Sequence, residues 1–208
     1  MYILDTGPIF KFLATHCTAE LIAALGGNTI HVPAAVEKEI LSTPERYPQF
    51  RPAIREWGDL RPNFKKVLDD RGSEHLDRHC LRVMQRPLEE VYANPQDLGE
   101  TMAVLHGLVA AEQGADVVIA CDDGAGKELI KRQQAFIYTR RVKGWCKGCG
   151  SIRHVDTLDL LRWAIAADGG FTEKARFRAK YQEMANLDSA LPPDLNDTDL
   201  MKRSLWSS

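Results

Sequence analysis

The sequence predicts an α/β protein whose central, mostly parallel sheet is covered by helices on both faces. Short apolar runs typical of buried strands lie at residues 1–4, 29–32 and 117–121, and a last short strand is predicted at 135–139. Stretches with helical periodicity separate these runs, which is the βαβ pattern of a parallel sheet. Ligands of such sheets bind beyond the carboxyl ends of the strands, so residues that follow the strands are the first site candidates.

The helices are predicted from their end signals as well as from their periodicity. Thr18 suits the N-cap of the stretch TAELIAAL, and Gly26 and Gly27 suit its end. Pro33 suits the first position of the next helix, which runs through AAVEKEIL. The remaining predicted helices cover residues 97–113, 126–134 and 155–166.

The length of 208 residues suits one domain with elaborations. We expect this domain to span residues 1–166. Within it, residues 44–96 contain scattered prolines and show weak periodicity, so we interpret them as a partly helical insertion. Residues 167–208 form a predicted C-terminal extension that we expect to be loosely ordered from Asn186 onward.

The composition limits the classes of partner. Lys and Arg total 27 against 29 Asp and Glu, for a net charge of −2, so a positive surface for nucleic acid has to be local. The start does not resemble a signal peptide, and no apolar run approaches the roughly 18 residues of a membrane span. An odd number of cysteines, five, indicates reduced thiols. We therefore predict a cytoplasmic protein without a membrane partner.

Acidic residues follow two of the predicted strands. Asp5 comes directly after residues 1–4, and residues 6–8 (Thr-Gly-Pro) are predicted to form the turn that ends this strand. Asp122 and Asp123 follow the strand at 117–121. The alternative for Asp5 is a structural role, as the cap of the next helix or in an Asx-turn.

Two further acids lie at the apolar faces of predicted helices. At 100° per residue, Glu39 projects about 60° from the centre of its apolar stripe, and Glu100 projects among the apolar residues of its own helix. A lone carboxylate at such a position is costly unless something compensates it. The alternatives are that Glu39 extends into solvent and that Asp97 and Glu100 form a capping box.

These acids together predict a cation site. Carboxylates gathered in one cleft resist joint ionisation unless a cation neutralises them. Hard oxygen ligands of this kind favour Mg²⁺ or Mn²⁺. The chemistry suited to such a site is phosphodiester hydrolysis.

Four acidic stretches follow one another along the chain: YILDTGP at 2–8, VEKEI at 36–40, DLGE at 97–100 and VVIACDD at 117–123. In order and approximate spacing they resemble the acidic motifs of PIN-domain ribonucleases. The resemblance covers residues 1–42 and 97–166, whereas the insertion and the extension depart from the family pattern. It implies a compact three-layer α/β/α fold and metal-dependent endonuclease activity on RNA.

Carried over position by position, the resemblance implies a catalytic set of acids. The set is Asp5, Glu39, Glu100 and Asp122, with Asp123 an equal candidate for the last place. Asp97 is a candidate additional ligand of the cation, and Thr6 is a candidate to hydrogen-bond a water on that cation. The implied cofactor is Mg²⁺ or Mn²⁺.

The resemblance also bears on partners. It implies RNA as the substrate and often a role as a VapC-type toxin paired with an antitoxin protein, and a homodimer is a candidate assembly. Two other functions stay open: a DNA or structure-specific nuclease in defence or repair, and a non-catalytic module that binds RNA or protein.

The loop WCKGC at 145–149 has two interpretations. Structural Zn²⁺ is one, with Cys146, Cys149 and His154 as ligands and Asp159 in the fourth place. An ordinary loop with free thiols is the other. A redox motif should instead open a helix directly after a strand of the first βαβ unit.

Local basic clusters are the candidate RNA-binding surfaces. RNA binding draws on phosphate neutralisation and on base stacking, so cations beside an exposed aromatic residue favour it. The first cluster follows the predicted last strand and comprises Arg140, Arg141, Lys143, Trp145 and Lys147. The alternative cluster recurs every four residues in the insertion and comprises Arg78, Arg82 and Arg86.

Overall fold

Five parallel strands form the central sheet of the computed structural model, which describes residues 1–94 and 96–206. They are β1 (Tyr2–Leu4), β2 (Ile30–Pro33), β3 (Lys65–Leu68), β4 (Val117–Ala120) and β5 (Ile152–Val155). Their order across the sheet is β3-β2-β1-β4-β5, and each neighbouring pair is parallel. The first strand of the chain is therefore the central one, and its carboxyl end lies between those of β2 and β4.

Helices cover both faces of this sheet. They are α1 (Thr6–Ala14), α2 (Thr18–Ala24), α3 (Ala34–Arg46), α4 (Arg51–Asp59), α5 (Glu74–Met84), α6 (Leu88–Ala93), α7 (Leu98–Glu112), α8 (Gly124–Val142), α9 (Thr157–Ala166) and α10 (Lys174–Ala185). Leu4 packs into the cluster that contains α1, α2, α9 and α10, and its neighbour Ile3 packs into the cluster that contains α5, α7 and α8. Successive side chains of a strand point to opposite faces, so the sheet separates two cores. The predicted three-layer α/β/α architecture is confirmed.

The strand predicted at 135–139 is wrong. These residues lie inside α8, whose buried positions Ile130, Gln133 and Ile137 follow helical spacing while Tyr138 is 67% exposed. A short apolar run does not by itself distinguish a strand from a helix. The last strand of the sheet is β5, whose sequence IRHV contains two charged or polar residues and so gave a weaker apolar signal.

The N-terminal turn predicted at residues 6–8 is also wrong, because α1 begins directly at Thr6. Pro8 stands in the first turn of this helix, where the missing N–H has no intrahelical partner to lose. The helix therefore starts immediately after Asp5.

The predicted insertion contributes to the sheet itself. It begins inside α3, contains α4, α5 and α6, and supplies the edge strand β3, which pairs with β2. The sequence KKVL of β3 is half polar and only partly buried, as is typical of an exposed edge, and this explains why its apolar pattern is weak.

The predicted extension packs against the core. Phe177 and Met184 of α10 are fully buried, and so is Leu200. The ring of Trp206 meets Phe177 edge-on at a centroid distance of 5.4 Å. We expected loose order from Asn186, whereas single apolar residues spaced along this segment reach the core without any periodic pattern. Residue 95 of the insertion and residues 207 and 208 of the extension lie outside the described residues.

Membrane insertion was not expected, and no helix in residues 1–94 and 96–206 combines the length and the apolar character that a membrane-spanning segment needs.

Candidate active site: an acidic cleft at the carboxyl end of the sheet

Asp5 marks the centre of an acidic cleft. Its backbone N–H donates to the carbonyl of Ala120 at 2.9 Å, which joins the ends of β1 and β4. Asp5 occupies the N-cap position of α1, yet its side chain makes no capping hydrogen bond. The Cys121 thiol lies 3.8 Å from Asp5 Oδ2. The carboxylate is therefore not used to cap α1 and faces the cleft instead.

Gly99, in the first turn of α7, brings two acids together. A Cβ atom added to Gly99 would lie 3.2 Å from Asp5 Oδ1 and 3.1 Å from Glu39 Oε1. Both carboxylates therefore pack against the same glycine, and a larger residue there would displace one of them. The hydroxyl of Thr6 donates to Glu39 Oε2. Glu39 is thus held in the cleft and does not extend into solvent.

Glu100 enters the same cleft from the next position of α7. It is only 8% exposed, and a Cβ atom added to Gly126 of α8 would lie 2.4 Å from its Cδ. Asp97 stands at the N-cap of α7 in the left-handed region, with φ of 57°, and makes no side-chain capping hydrogen bond. The alternative of an Asp97–Glu100 capping box is therefore not realised, and Glu100 is left to face the other acids.

The electrostatics of the cleft reflect this crowding. Burial is the largest cause that raises the pKa of Asp5 to about 7, and the charges of Glu39 and Asp122 contribute to this rise. Burial likewise raises the pKa of Glu100 to about 8, with contributions from Asp123, Asp5 and Asp97. Burial also raises the pKa of Glu39. The cleft thus contains more negative charge than its surroundings neutralise.

In the part of the chain that the structure describes, no basic side chain forms an ion pair with the acids at the centre of the cleft. Within residues 1–94 and 96–206, none of the ion pairs involves Asp5, Glu39 or Glu100. In the same residues no three His, Cys, Asp or Glu side chains form a ready metal-binding group. The donor set fits a hard divalent cation in its oxygen chemistry and its excess negative charge. As oriented, the carboxylates do not yet form a closed ligand shell.

Asp122 differs from the other acids, because its carboxylate is already engaged. Lys11 Nζ lies 2.9 Å from Asp122 Oδ2 and 2.6 Å from Asp188 Oδ2, and Lys11 is 0% exposed. The backbone N–H and the hydroxyl of Thr157 donate to Asp122 at 2.8 and 2.7 Å. Asp122 therefore anchors α1 and α9 to the end of β4.

Asp123 is the freer of the two adjacent acids. It is exposed, and its Oδ1 accepts a hydrogen bond from the N–H of Ala125 at 2.6 Å as the N-cap of α8. Its charge is the largest charge contribution to the raised pKa of Glu100. The geometry favours Asp123 over Asp122 as the acid that joins Glu100.

Sequence reasoning missed Lys11, Thr157 and Asp188. The position of Lys11 between Phe10 and Phe12, inside the apolar run IFKFL, could have predicted an ion pair, because a buried cation needs a charged partner. Asp188 offered no comparable signal, since it lies in the segment that we expected to be loosely ordered.

The insertion borders the acidic cleft on the side of Glu39. A groove of about 610 Å³ adjoins Glu39 between α3, α6 and the loop after β3. Lys38 and Arg71 line it, and the Arg71 guanidinium lies 5.2 Å from the ring centre of Tyr92. The groove opens the acidic cleft toward the edge strand β3.

The first basic cluster, which we predicted as an RNA-binding surface, does not lie beside the acidic cleft. We expected it to follow a strand at 135–139, but that segment belongs to α8, which starts at the cleft and carries the chain about 28 Å toward the amino ends of the strands. Arg140 pairs with Glu112 there at 3.0 Å. The structure does not bring this cluster to the acids. Its other members, Arg141, Lys143, Trp145 and Lys147, are exposed at the far end of α8.

The three predicted zinc ligands are not brought together either. Cys146 and Cys149 form a disulfide bond just before β5, which corrects the expectation that all cysteines are reduced thiols. His154 Nε2 lies 2.8 Å from the carbonyl oxygen of Cys121, at the opposite end of β5. The remaining cysteines within the described residues, Cys17, Cys80 and Cys121, are free and buried.

The alternative arginine cluster in the insertion has structural partners. Arg78 pairs with Glu112 at 3.0 Å, and the Arg82 guanidinium lies 3.7 Å from the ring centre of Phe136. These contacts attach α5 to α7 and α8. Arg86 lines a small cavity of about 290 Å³ that also contacts Asp97.

Comparisons with known proteins assign no family: no family model, no curated protein and no solved structure matches the chain. The likeness to PIN-domain ribonucleases therefore rests on the four acidic stretches alone.

Proposed function

We propose that this protein is a metal-dependent endoribonuclease of the PIN type. One observation supports the proposal above others: Asp5, Glu39 and Glu100, from three separate elements, pack around Gly99 and Gly126 at the carboxyl end of a parallel sheet. Open α/β sheets bind ligands at this end. A protein that used these acids only structurally would be expected to pair them with cations of its own.

The residues divide into ligands and supports. Asp5, Glu100 and Asp123 would hold a Mg²⁺ or Mn²⁺ ion, with Glu39 and Asp97 at the margin of the site. When bound, the ion supplies a nucleophile at neutral pH and stabilises the charge that develops in a phosphodiester displacement.

The supports orient the acids. The Thr6 hydroxyl orients Glu39, and the Lys11 ammonium together with Thr157 holds Asp122 behind the cleft. Because Gly99 and Gly126 have no side chains, the carboxylates occupy space that any other residue would take.

The ion pair between Lys11 and Asp122 favours a second candidate, a non-catalytic module with this fold. A buried lysine that neutralises one of the acids lowers the demand for a second metal ion. In this reading the cleft binds RNA or protein without cleaving it. The two candidates differ in one measurable property, which is turnover that depends on a divalent cation.

The test is a cleavage assay on labelled single-stranded RNA, single-stranded DNA and duplex DNA, with Mg²⁺ or Mn²⁺ and with EDTA. We expect RNA cleavage that EDTA abolishes and that Glu100→Gln removes while circular dichroism stays unchanged. Glu45→Gln is the matched control, an exposed glutamate on α3. Cleavage of DNA alone would assign the DNA-nuclease alternative. Binding without any cleavage would assign the non-catalytic module.

The toxin role, the antitoxin partner and the homodimer belong to the same proposal. Expression of the chain should arrest cell growth, and Glu100→Gln should relieve the arrest. Light scattering of the purified chain measures the oligomeric state.

A further inference from the structure

One face of α8 carries a row of exposed side chains of the types that contact phosphates and bases in nucleic-acid-binding proteins. We call this row the α8 track. At 100° per residue, its helical members lie within about 40° of one line along the helix. They are Lys127, Lys131, Gln134, Tyr138 and Arg141, and Trp145 follows just beyond the end of the helix. All six are exposed.

The α8 track begins at the acidic cleft. Lys127 follows directly after Gly126, which packs against Glu100, and Asp123 caps the same helix. The track then runs the length of α8, about 28 Å, to Trp145 at the amino end of the sheet. The basic cluster around Trp145 is therefore the distal end of a surface that starts at the acidic cleft.

The charge of this region is opposite to that of the cleft. Residues 129–155 contain seven Lys and Arg residues and no Asp or Glu, in a chain whose net charge is −2. Lys131 pairs with Glu128 at 2.7 Å, but both side chains are more than half exposed, so the pair is weak. A polyanion is the class of ligand that such a surface attracts.

The exposed aromatic residues indicate which kind of polyanion this surface binds. Tyr138 is 67% exposed and Trp145 is 66% exposed, and Lys143 Nζ lies 4.6 Å from the ring centre of Trp145. Large aromatic rings left in solvent beside cations offer stacking surfaces for unpaired bases. A duplex shields its bases, so this combination favours a single strand.

We propose that the α8 track binds single-stranded nucleic acid that extends out of the acidic cleft. The proposal rests on the proposed function, because it gives the substrate of the same site a path along the surface. Phosphates lie against Lys127, Lys131 and Arg141, and bases stack on Tyr138 and Trp145. The length of α8, about 28 Å, is enough to hold a stretch of several unpaired nucleotides.

The test measures binding of single-stranded RNA of about 12 nucleotides by fluorescence anisotropy, in EDTA so that no cleavage occurs. The triple variant K127Q/K131Q/R141Q should flatten the dependence of log Kd on log salt by about 2. Between about 50 and 200 mM salt, the affinity of the parent should therefore fall roughly 20-fold more than that of the variant. The matched control is R55Q/R61Q/K66Q, which removes the same charge from α4 and the region of β3.

Two further variants test whether bases stack on the aromatic residues of the α8 track. Tyr138→Ala and Trp145→Ala should each weaken binding by roughly 5- to 140-fold. Tyr47→Ala, at an exposed tyrosine before α4, should leave the affinity unchanged.

An unchanged salt slope in the triple variant, or unchanged affinity in both aromatic variants, would overturn the proposal. Polyglutamate that binds as tightly as RNA of equal charge would overturn it as well and assign the track to an acidic protein segment. If the parent cleaves no RNA with Mg²⁺ while the track variants still lose RNA binding, the proposed ribonuclease activity fails and the track stands. If the parent cleaves RNA but the track variants bind RNA as tightly as the parent does, only the proposal for the α8 track is refuted, and the proposed ribonuclease activity stands.

Discussion

Replacing Asp5 by asparagine should stabilise the metal-free protein at neutral pH. Burial and neighbouring acids raise the pKa of Asp5 to about 7, so the folded state holds a proton on Asp5 that the unfolded chain has already released. The free energy of unfolding therefore falls as pH rises from about 4 to about 7, and above that range the ionised carboxylate stays buried beside Glu39. Asparagine has no charge to bury, so this loss disappears.

The size of the effect follows from the pKa. A rise from the ordinary value of 3.8 to about 7 corresponds to about 4 kcal/mol of unfolding free energy. Asp5 retains partial exposure, and solvent screening reduces that amount. We expect Asp5→Asn to add about 1–3 kcal/mol at pH 8 and almost nothing at pH 4.

The assay is urea unfolding of parent and variant at pH 4, 6 and 8 in EDTA, followed by circular dichroism. Glu45→Gln controls for the general loss of a negative charge from an exposed site. Adding Mg²⁺ should stabilise the parent and leave Asp5→Asn nearly unchanged, since a ligand that binds only the folded state raises stability by mass action. A variant that is less stable than the parent at every pH would refute the reasoning and return Asp5 to a structural capping role.

Two other perturbations probe the walls of the cleft. Gly126→Ala places a Cβ atom 2.4 Å from Glu100 Cδ, so it should cost about 1–3 kcal/mol in urea unfolding and reduce Mg²⁺-dependent cleavage. Gly124→Ala, where no described atom lies within 4 Å of the new Cβ, should change neither; equal effects of the two would count against the packing argument. Lys11→Met leaves Asp122 without its buried cation and should destabilise the fold by about 3 kcal/mol in the same assay. Asp122→Asn in the Lys11→Met background should recover part of this loss, and simple additivity of the two changes would contradict the ion-pair interpretation.

Part of the candidate site was predictable from residue order alone. Asp5 follows an apolar run short enough to be a buried strand, and a parallel sheet places all such strand ends at one edge. Glu100 lies among apolar residues at helical spacing, which predicted its burial. Both predictions rest on the local pattern of apolar residues, and the same pattern determines where the strand before Asp5 and the helix that contains Glu100 form.

Other features depended on contacts between distant segments. The run AFIYT has a strand-like composition, but α8 continues through it because Ile130, Gln133 and Ile137 pack on one face. That single difference moved Trp145 and its neighbouring cations to the far end of α8. The capping box at Asp97 likewise fits the sequence pattern, and the backbone at φ of 57° does not form it.

By itself, the sequence determined three of the five strands (β1, β2 and β4), the parallel sheet and the set of acids that its carboxyl end could gather. These follow from hydrophobic periodicity and chain order, which act over a few residues at a time. Only the tertiary structure decided that Lys11 neutralises Asp122, that Asp123 caps α8 and stays exposed, and that α8 connects the cleft to the distant basic cluster. Burial of a charge and the choice of its partner depend on which remote segments pack together, and no local pattern contains that information.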